Sequence, residues 1–161
     1  MMKKCLAVLL IMAVLCGLSV VPVAAVETIE NVIAVYEDGS YLVETIRIET
    51  SAISPWSNAI ATAGDRVIEN YDANNVKQWM FRLYVNFLYR EGISAIVQNC
   101  WTNHEIYNSK WSLESSDYEI VQPAAYGSYI FKKRSLFNLV VATASNTIGL
   151  TCDAYGNISR C

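Results

Sequence analysis

Apolar and polar residues alternate along segment 76–90, and this alternation is the clearest structural signal in the chain. Period-two alternation predicts a strand with one face in a core and the other mostly in water. Arg90-Glu91-Gly92 ends the pattern, and a second apolar run leads to Cys100. The sequence therefore predicts a long central hairpin over 76–100. The residues on its apolar parity are Trp79, Phe81, Leu83, Val85, Phe87 and Tyr89.

Shorter alternating or β-branched runs fill most of the remaining chain. Asp38-Gly39 separates two of them, and Asp72-Ala73-Asn74-Asn75 precedes the central strand. Aspartate, asparagine and glycine favour turns, so both segments are predicted to close hairpins. Segment 51–65 contains Pro55 and is predicted to be a loop or an irregular edge. The predicted strands span 29–35, 41–48, 66–71, 76–90, 93–100, 111–121, 124–133 and 136–152.

This series of strands predicts the fold class. Segment 26–161 shows no helical stripe, internal repeat or linker. About eight strands with turns at short intervals are typical of antiparallel sandwiches. We expect an all-β antiparallel β-sandwich, Ig-like or related, in a single domain over 26–161.

The N-terminal segment differs in composition from everything after it. Lys3 and Lys4 precede an apolar run over 5–21, and small residues at 23–25 end the segment. A basic start, an apolar middle and a small-residue exit indicate a secretory signal peptide over 1–25, cleaved after Ala25. The alternative is an uncleaved anchor, although the run is slightly shorter than the ~20 residues of a spanning helix. The expected location is extracellular, with cell-surface association possible and no stable membrane association after cleavage.

Removal of segment 1–25 takes both of its lysines away. It leaves 10 Lys and Arg against 15 Asp and Glu, a net charge near −5. Nucleic acids and anionic membranes bind basic surfaces. The charge therefore argues against nucleic acid as a partner, and an unknown extracellular protein or a glycan is expected instead.

Three cysteines remain after cleavage: Cys100, Cys152 and Cys161. Exported proteins meet oxidising conditions, so one disulfide and one remaining thiol are expected. A buried Cys100–Cys152 bridge would contribute about 4 kcal/mol in the chain-entropy description of a loop of this length. A local Cys152–Cys161 bridge is the competing arrangement. If Cys100 and Cys152 pair, Cys161 could link two copies of the chain as a homodimer.

Side chains for catalysis are few. His104 is the one histidine, and the sequence has no Gly-x-Ser-x-Gly motif, no metal-ligand spacing and no phosphate-binding glycine loop. Asp117 and Glu119 lie on one face of a predicted strand about 7 Å apart, but acids at such positions are usually solvated. We expect no enzymatic activity and no cofactor. A small hydrolase built on His104 is the alternative.

Aromatic side chains are the most suggestive candidates for binding. The chain has 4 tryptophans and 10 tyrosines, and exposed flat rings on a β-sandwich can stack on sugar rings. Aromatic residues also simply suit strands, and Trp79 has core parity. Trp56, in a proline-containing loop, and Trp101, beside Cys100, are the candidates for ligand contact.

Four segments in this order resemble one known family. They are Asn70-Tyr71-Asp72-Ala73-Asn74-Asn75, Val85-Asn86-Phe87-Leu88-Tyr89, Tyr107-Asn108-Ser109-Lys110-Trp111 and Leu150-Thr151-Cys152-Asp153-Ala154-Tyr155-Gly156-Asn157-Ile158-Ser159. Together they resemble small secreted all-β proteins of Gram-positive, mainly clostridial, bacteria that are classified as a domain of unknown function. The resemblance covers roughly 66–159 and implies a Cys100–Cys152 pair. It implies no catalytic or binding residue.

These observations favour a secreted, non-enzymatic protein that acts as an extracellular interaction module. A carbohydrate-binding module that uses Trp56 or Trp101 is the alternative, and pairing of an edge strand with a partner protein is a further possibility.

Overall fold

The computed structural model describes residues 26–50 and 59–161. The predicted signal peptide over 1–25 and the candidate Trp56 lie outside the described residues. No helix that is long and apolar enough to cross a membrane occurs in the described part of the chain. The strands are β1 (Val26–Val35), β2 (Tyr41–Thr50), β3 (Ile60–Tyr71), β4 (Lys77–Arg90), β5 (Ser94–Ile106), β6 (Trp111–Val121), β7 (Ala124–Arg134), β8 (Val140–Cys152) and β9 (Ile158–Arg160).

These strands form two antiparallel sheets that share one apolar core. The five-stranded sheet has the order β1-β2-β3-β4-β5, and the four-stranded sheet has the order β6-β7-β8-β9. The predicted all-β antiparallel sandwich is confirmed, with nine strands where about eight were expected. Within each sheet every strand pairs with its neighbour in sequence, so the sheets are two meanders. This order of connections differs from the Greek key of the Ig sandwich.

The central hairpin of β4 and β5 supplies the core of the five-stranded sheet. Side chains on the predicted apolar parity of β4, from Trp79 to Phe87, are at most 1% exposed. Trp79 stacks on Phe131 of β7 with ring centroids 4.4 Å apart, and Phe81 contacts Tyr129 at 4.7 Å. The alternation therefore identified the strand and the face that it buries. Gly92 turns the hairpin with a φ of 67°.

Strand β3 is longer than the sequence predicted. It begins at Ile60 and is hydrogen-bonded to β2 and β4 on its two edges, whereas only 66–71 was predicted as strand. Gly64 and Asp65 hide the strand pattern because the first is small and the second is charged. A Cβ at Gly64 would lie 3.3 Å from atoms of Ile158 and Leu150, so the small residue lets the sheets approach there.

The end of the chain also differs from the prediction. Strand β8 begins at Val140, because 135–139 form a turn in which Asn138 has a φ of 61°. The apolar residues that suggested a strand from 136 onwards are exposed at this turn. Strand β9 was not predicted. It pairs with β8 through Ile158 and Cys152 and places Ile158 in the core.

Candidate functional site

One row of side chains crosses the outer face of the five-stranded sheet. Arg47 of β2 pairs with Asp65 of β3, Asp65 pairs with Tyr84 of β4, and Tyr84 pairs with Trp101 of β5. Residues directly opposite one another on neighbouring strands point to the same face. Tyr84 has the parity opposite to that of the buried Trp79, so this face is the outer one. We call these four residues the outer row.

Two aromatic rings form one end of the outer row. Trp101 stacks on Tyr84 with ring centroids 5.1 Å apart and an interplanar angle of 17°. The Trp101 side chain is still 43% exposed. The Arg82 guanidinium lies 5.2 Å from the Tyr84 ring centroid, and its Nη1 donates a hydrogen bond to the Tyr84 hydroxyl. The result is a supported flat ring that is open to solvent.

Charged side chains continue the row. The Asp65 Oδ2 lies 3.4 Å from Arg82 Nε and 3.9 Å from Arg47 Nη1. Burial raises the pKa of Asp65, and the two arginines act in the opposite direction. Arg82 Nε donates no hydrogen bond to any described residue, because its contact with Asp65 is an ion pair without hydrogen-bond geometry. A nearly buried carboxylate and an Arg82 N–H without an acceptor therefore lie next to Tyr84, the ring on which Trp101 stacks.

Amide side chains flank the aromatic pair. Asn86 Nδ2 donates to Asn99 Oδ1 at 2.7 Å, and both residues lie next to Tyr84 and Trp101 along their strands. Asn103, two residues beyond Trp101, accepts a hydrogen bond from the backbone N–H of His104. Amides both donate and accept hydrogen bonds. This part of the face can therefore bind hydroxyl groups as well as an apolar ring surface.

A second aromatic group lies on the same face, towards the turn between β3 and β4. Tyr41 stacks on Tyr71 with ring centroids 5.2 Å apart. Lys77 Nζ lies 5.6 Å from the Tyr71 ring and 5.4 Å from the Tyr107 ring, and it pairs with Glu69 at 2.6 Å. The outer face thus carries exposed or half-exposed rings over much of its length.

Cys100 and Cys152 are both buried in the shared core, Cys100 on β5 and Cys152 at the end of β8. Both are free thiols in the structure, so the Cys100–Cys152 bridge stays a prediction. Burial raises the pKa of Cys100. Burial and, to a lesser degree, Asp153 raise the pKa of Cys152 to about 11. Thiols with raised pKa values react slowly near neutral pH.

Cys161 is an exposed free thiol. Its backbone N–H donates to the Gly149 carbonyl at 3.2 Å, and its carbonyl accepts from Arg66 Nη1 at 3.2 Å. The chain end is therefore held against β8, with the Cys161 thiol beside Tyr126. A disulfide-linked dimer through Cys161 stays a prediction.

The structure also places the groups considered for catalysis. His104 is exposed on β5, with its ring 6.3 Å from that of Phe131. Asp117 and Glu119 are exposed on β6. The described residues include no group of three or more His, Cys, Asp or Glu side chains that could hold a metal ion.

Trp101 was singled out from the sequence, but its partners in the outer row were not. Tyr84 and Arg82 lie on the polar parity of β4, and this parity was the signal that could have placed them beside each other. Asp65 and Arg47 could not be aligned with them, because the register between strands is set by pairing over the whole sheet.

The fold and the outer row together define an all-β sandwich with a solvent-facing aromatic and charged sheet face. Comparison of the chain with protein-family models, with curated proteins and with solved structures finds no match. The family resemblance of segment 66–159 stays a prediction.

Proposed function

We propose that the protein is a non-enzymatic extracellular binding module and that the outer row binds glycans. The observation that carries the proposal is the Trp101 ring, which is 43% exposed although it is held by stacking on Tyr84. A fixed ring that faces solvent offers a flat apolar surface at little cost in conformational entropy. The C–H face of a sugar ring is a suitable partner for such a surface.

The neighbours of the ring support a glycan over a purely apolar ligand. Asp65, Arg82 and the Asn86–Asn99 amide pair provide acceptors and donors beside the stack. Sugar hydroxyls need both hydrogen-bond acceptors and donors, and hydrogen bonds to charged groups are stronger than those between neutral groups. The N-terminal segment with signal-peptide character supports an extracellular location, where glycans are abundant.

Binding of a protein partner is a second candidate function. The turn between β7 and β8 exposes Leu136 to 93%, Phe137 to 86% and Leu139 to 66%. Contiguous exposed apolar side chains commonly mark interaction surfaces. This turn belongs to the other sheet, so its contribution to binding can be tested separately from that of the outer row.

Affinity electrophoresis through gels that contain mucin or plant glycans tests the proposal. We expect the migration of the protein to be retarded in at least one glycan. Trp101→Ala should weaken that binding at least about tenfold, as loss of a central aromatic contact usually does. Tyr118→Ala is the matched control, because it removes an exposed aromatic ring from β6 of the other sheet.

Equal retardation of Trp101→Ala and the unsubstituted protein would contradict the proposal, as would the absence of retardation in every glycan. Leu136→Ser with Phe137→Ser tests the second candidate. It should leave glycan retardation unchanged and abolish capture of a protein partner.

A further inference from the structure

The open edges of the two sheets determine where a further strand can join the protein. In the five-stranded sheet the edge strands are β1 and β5. In the four-stranded sheet they are β6 and β9, and β8 is also open before residue 150, where its pairing with β9 begins. An open edge presents backbone N–H and C=O groups to which another chain can hydrogen-bond. The backbone groups that already have partners at each edge therefore indicate where a strand can be added.

Side chains close the edges of β5, β6 and β8 at defined points. The Gln122 amide takes the place of a strand beside β5, because its Oε1 accepts from the Val97 N–H at 2.6 Å and its Nε2 donates to the Val97 carbonyl at 2.9 Å. Asn103 on β5, Asp117 on β6 and Asn146 on β8 each accept the N–H of the following residue at 2.8 Å. Strand β9 is only three residues long. Capped N–H groups and short edges both hinder the addition of a strand.

Strand β1 has no such protection before its bulge between Val32 and Ala34. Segment 26–32 pairs regularly with 43–49 of β2, and none of its backbone groups bonds to a side chain of a described residue. Alternate residues of an edge strand direct their N–H and C=O groups away from the neighbouring strand. The strand is also exposed on both faces. Its side chains that are at least 39% exposed include Val26, Ile29, Val32, Ile33 and Val35.

An added strand would gain apolar contacts on both faces of β1. On the inner face Ile29 lies opposite Ile46, which belongs to the core, yet Ile29 itself is 42% exposed. On the outer face Val32 lies opposite the buried Val43 and is 60% exposed. Side chains directly opposite one another on neighbouring strands stabilise a sheet. Apolar residues of a sixth strand beside Ile29 and Val32 would therefore extend both apolar surfaces.

The charges of segment 26–32 select the partner. Glu27 and Glu30 lie on opposite faces of β1, and both are exposed. Neither makes an ion pair with a described residue, because Arg47, the cation on the adjacent part of β2, pairs with Asp65 instead. Two uncompensated carboxylates favour a basic partner strand. A second copy of the chain would bring the same two acids and a net charge of −3, so self-pairing is disfavoured.

We propose that segment 26–32 of β1 binds an extended segment of a partner protein, which joins the five-stranded sheet as a sixth strand. The partner segment carries Lys or Arg at two positions three residues apart, opposite Glu27 and Glu30. It carries apolar residues opposite Val26, Ile29 and Val32. This edge is separate from the stacked rings of β4 and β5, so this proposal and the glycan-binding proposal can fail independently.

Two peptides of the same length test the proposal. The first, acetyl-Val-Thr-Lys-Ile-Thr-Lys-Val-amide, matches segment 26–32 in antiparallel register, and the second has Glu in place of both Lys. Each is titrated into the ¹⁵N-labelled protein. We expect the Lys peptide to shift the β1 backbone resonances with saturation, to slow hydrogen exchange of the β1 amides that point away from β2, and to leave the Trp101 indole resonance unchanged. The Glu peptide should bind at least about tenfold more weakly.

Charge-reversed variants connect the binding to this edge. Glu27→Lys with Glu30→Lys should reverse the preference, so that the Glu peptide binds more tightly than the Lys peptide. Glu91→Lys with Glu119→Lys changes the net charge equally at exposed positions outside β1 and should keep the original preference.

Three results would overturn the proposal: no saturable shift in β1 with the Lys peptide, equal affinity for the two peptides, or binding without protection of the β1 amides. A dimer formed through β1, which sedimentation of the protein alone detects, would assign the edge to a second copy and overturn it as well.

Discussion

A buried carboxylate joins three strands at the residue scale. Glu44, on the inner face of β2, is 1% exposed. Its Oε1 lies 2.6 Å from Arg66 Nη2 of β3, and its Oε2 lies 3.1 Å from Arg160 Nη1 of β9. Arg66 also donates to the carbonyls of Gly149 and Cys161. Glu44 therefore neutralises Arg66, and Arg66 in turn links β3 to Gly149 of β8 and to Cys161 at the end of the chain.

Replacement of Glu44 by Ala should strongly destabilise the fold. The substitution leaves Arg66, whose side chain is nearly buried, without its counter-charge, and breaking a buried ion pair costs about 3–5 kcal/mol. Urea unfolding measures the loss. The control is Glu114→Ala, which breaks an exposed pair with Lys132 and should change the stability by less than about 1 kcal/mol. Equal losses of unfolding free energy in the two variants would show that the buried ion pair stabilises the fold no more than the exposed pair does.

The Cys161 and Cys152 thiols should differ in reactivity. In the reduced, folded protein Cys161 should react with a thiol label near neutral pH, because it is exposed. Cys152 should not react until the pH approaches about 11, its raised pKa, or until the protein unfolds. Mass spectrometry of the labelled protein measures the extent of labelling at both cysteines.

The same experiment without reduction tests the predicted bridge. If Cys100 and Cys152 pair, they stay unlabelled even in denaturant. If both are labelled there, the bridge is absent, and labelling of Cys100 alone would support the Cys152–Cys161 alternative. Fast labelling of Cys152 in the folded protein would contradict its burial.

At the scale of elements, the sequence predicted strands with strong alternation and turns with local hydrogen bonds. Strand β4 buries the parity that alternation selects, and the turn at Asp72 forms as predicted because its carboxylate accepts from the N–H groups of Asn74 and Val76. Strand β9 escaped prediction because three residues are too few to show a period. The turn at 135–139 was not predicted because nothing in the local sequence shows that its apolar residues are exposed.

The candidate site was predictable only in part, because the register between strands leaves no local pattern in the sequence. Trp101 follows a buried cysteine on a strand, so the local pattern suggests an exposed ring. Its stacking on Tyr84 and the approach of Asp65 depend on the register among β3, β4 and β5. Register reflects the packing of the whole sheet, and a local pattern does not contain it.

Two glycines in turns allow a matched test of one packing contact. Gly156 has a φ of 84°, and a Cβ there would lie 2.4 Å from the Tyr89 ring. Gly92 has a φ of 67° and no atom within 4 Å of such a Cβ. Gly92→Ala should cost about 1–2 kcal/mol from backbone strain alone. Gly156→Ala should cost more, because the Tyr89 ring must also move. Equal decreases in Tm for the two variants would contradict the close contact between position 156 and the Tyr89 ring.

At the scale of the whole molecule, the two sheets provide separate surfaces around one core. The outer face of the five-stranded sheet carries the outer row, whereas the four-stranded sheet presents the apolar turn between β7 and β8. A cavity lined in part by the Trp79 and Trp111 side chains lies between the sheets at one end. Because Trp101 is exposed while Trp79 and Trp111 are buried, the three indole N–H groups report separately on the outer face and on the core.

The measurement that tests the glycan-binding proposal most directly uses this difference. Oligosaccharides released from mucin or from plant polysaccharides are titrated into the ¹⁵N-labelled protein while the indole resonances are followed. If the outer row binds glycans, the Trp101 resonance shifts with saturation in at least one preparation, while those of Trp79 and Trp111 stay unchanged, and Asp65→Asn weakens the binding. A Trp101 resonance that does not move in any preparation would contradict the account.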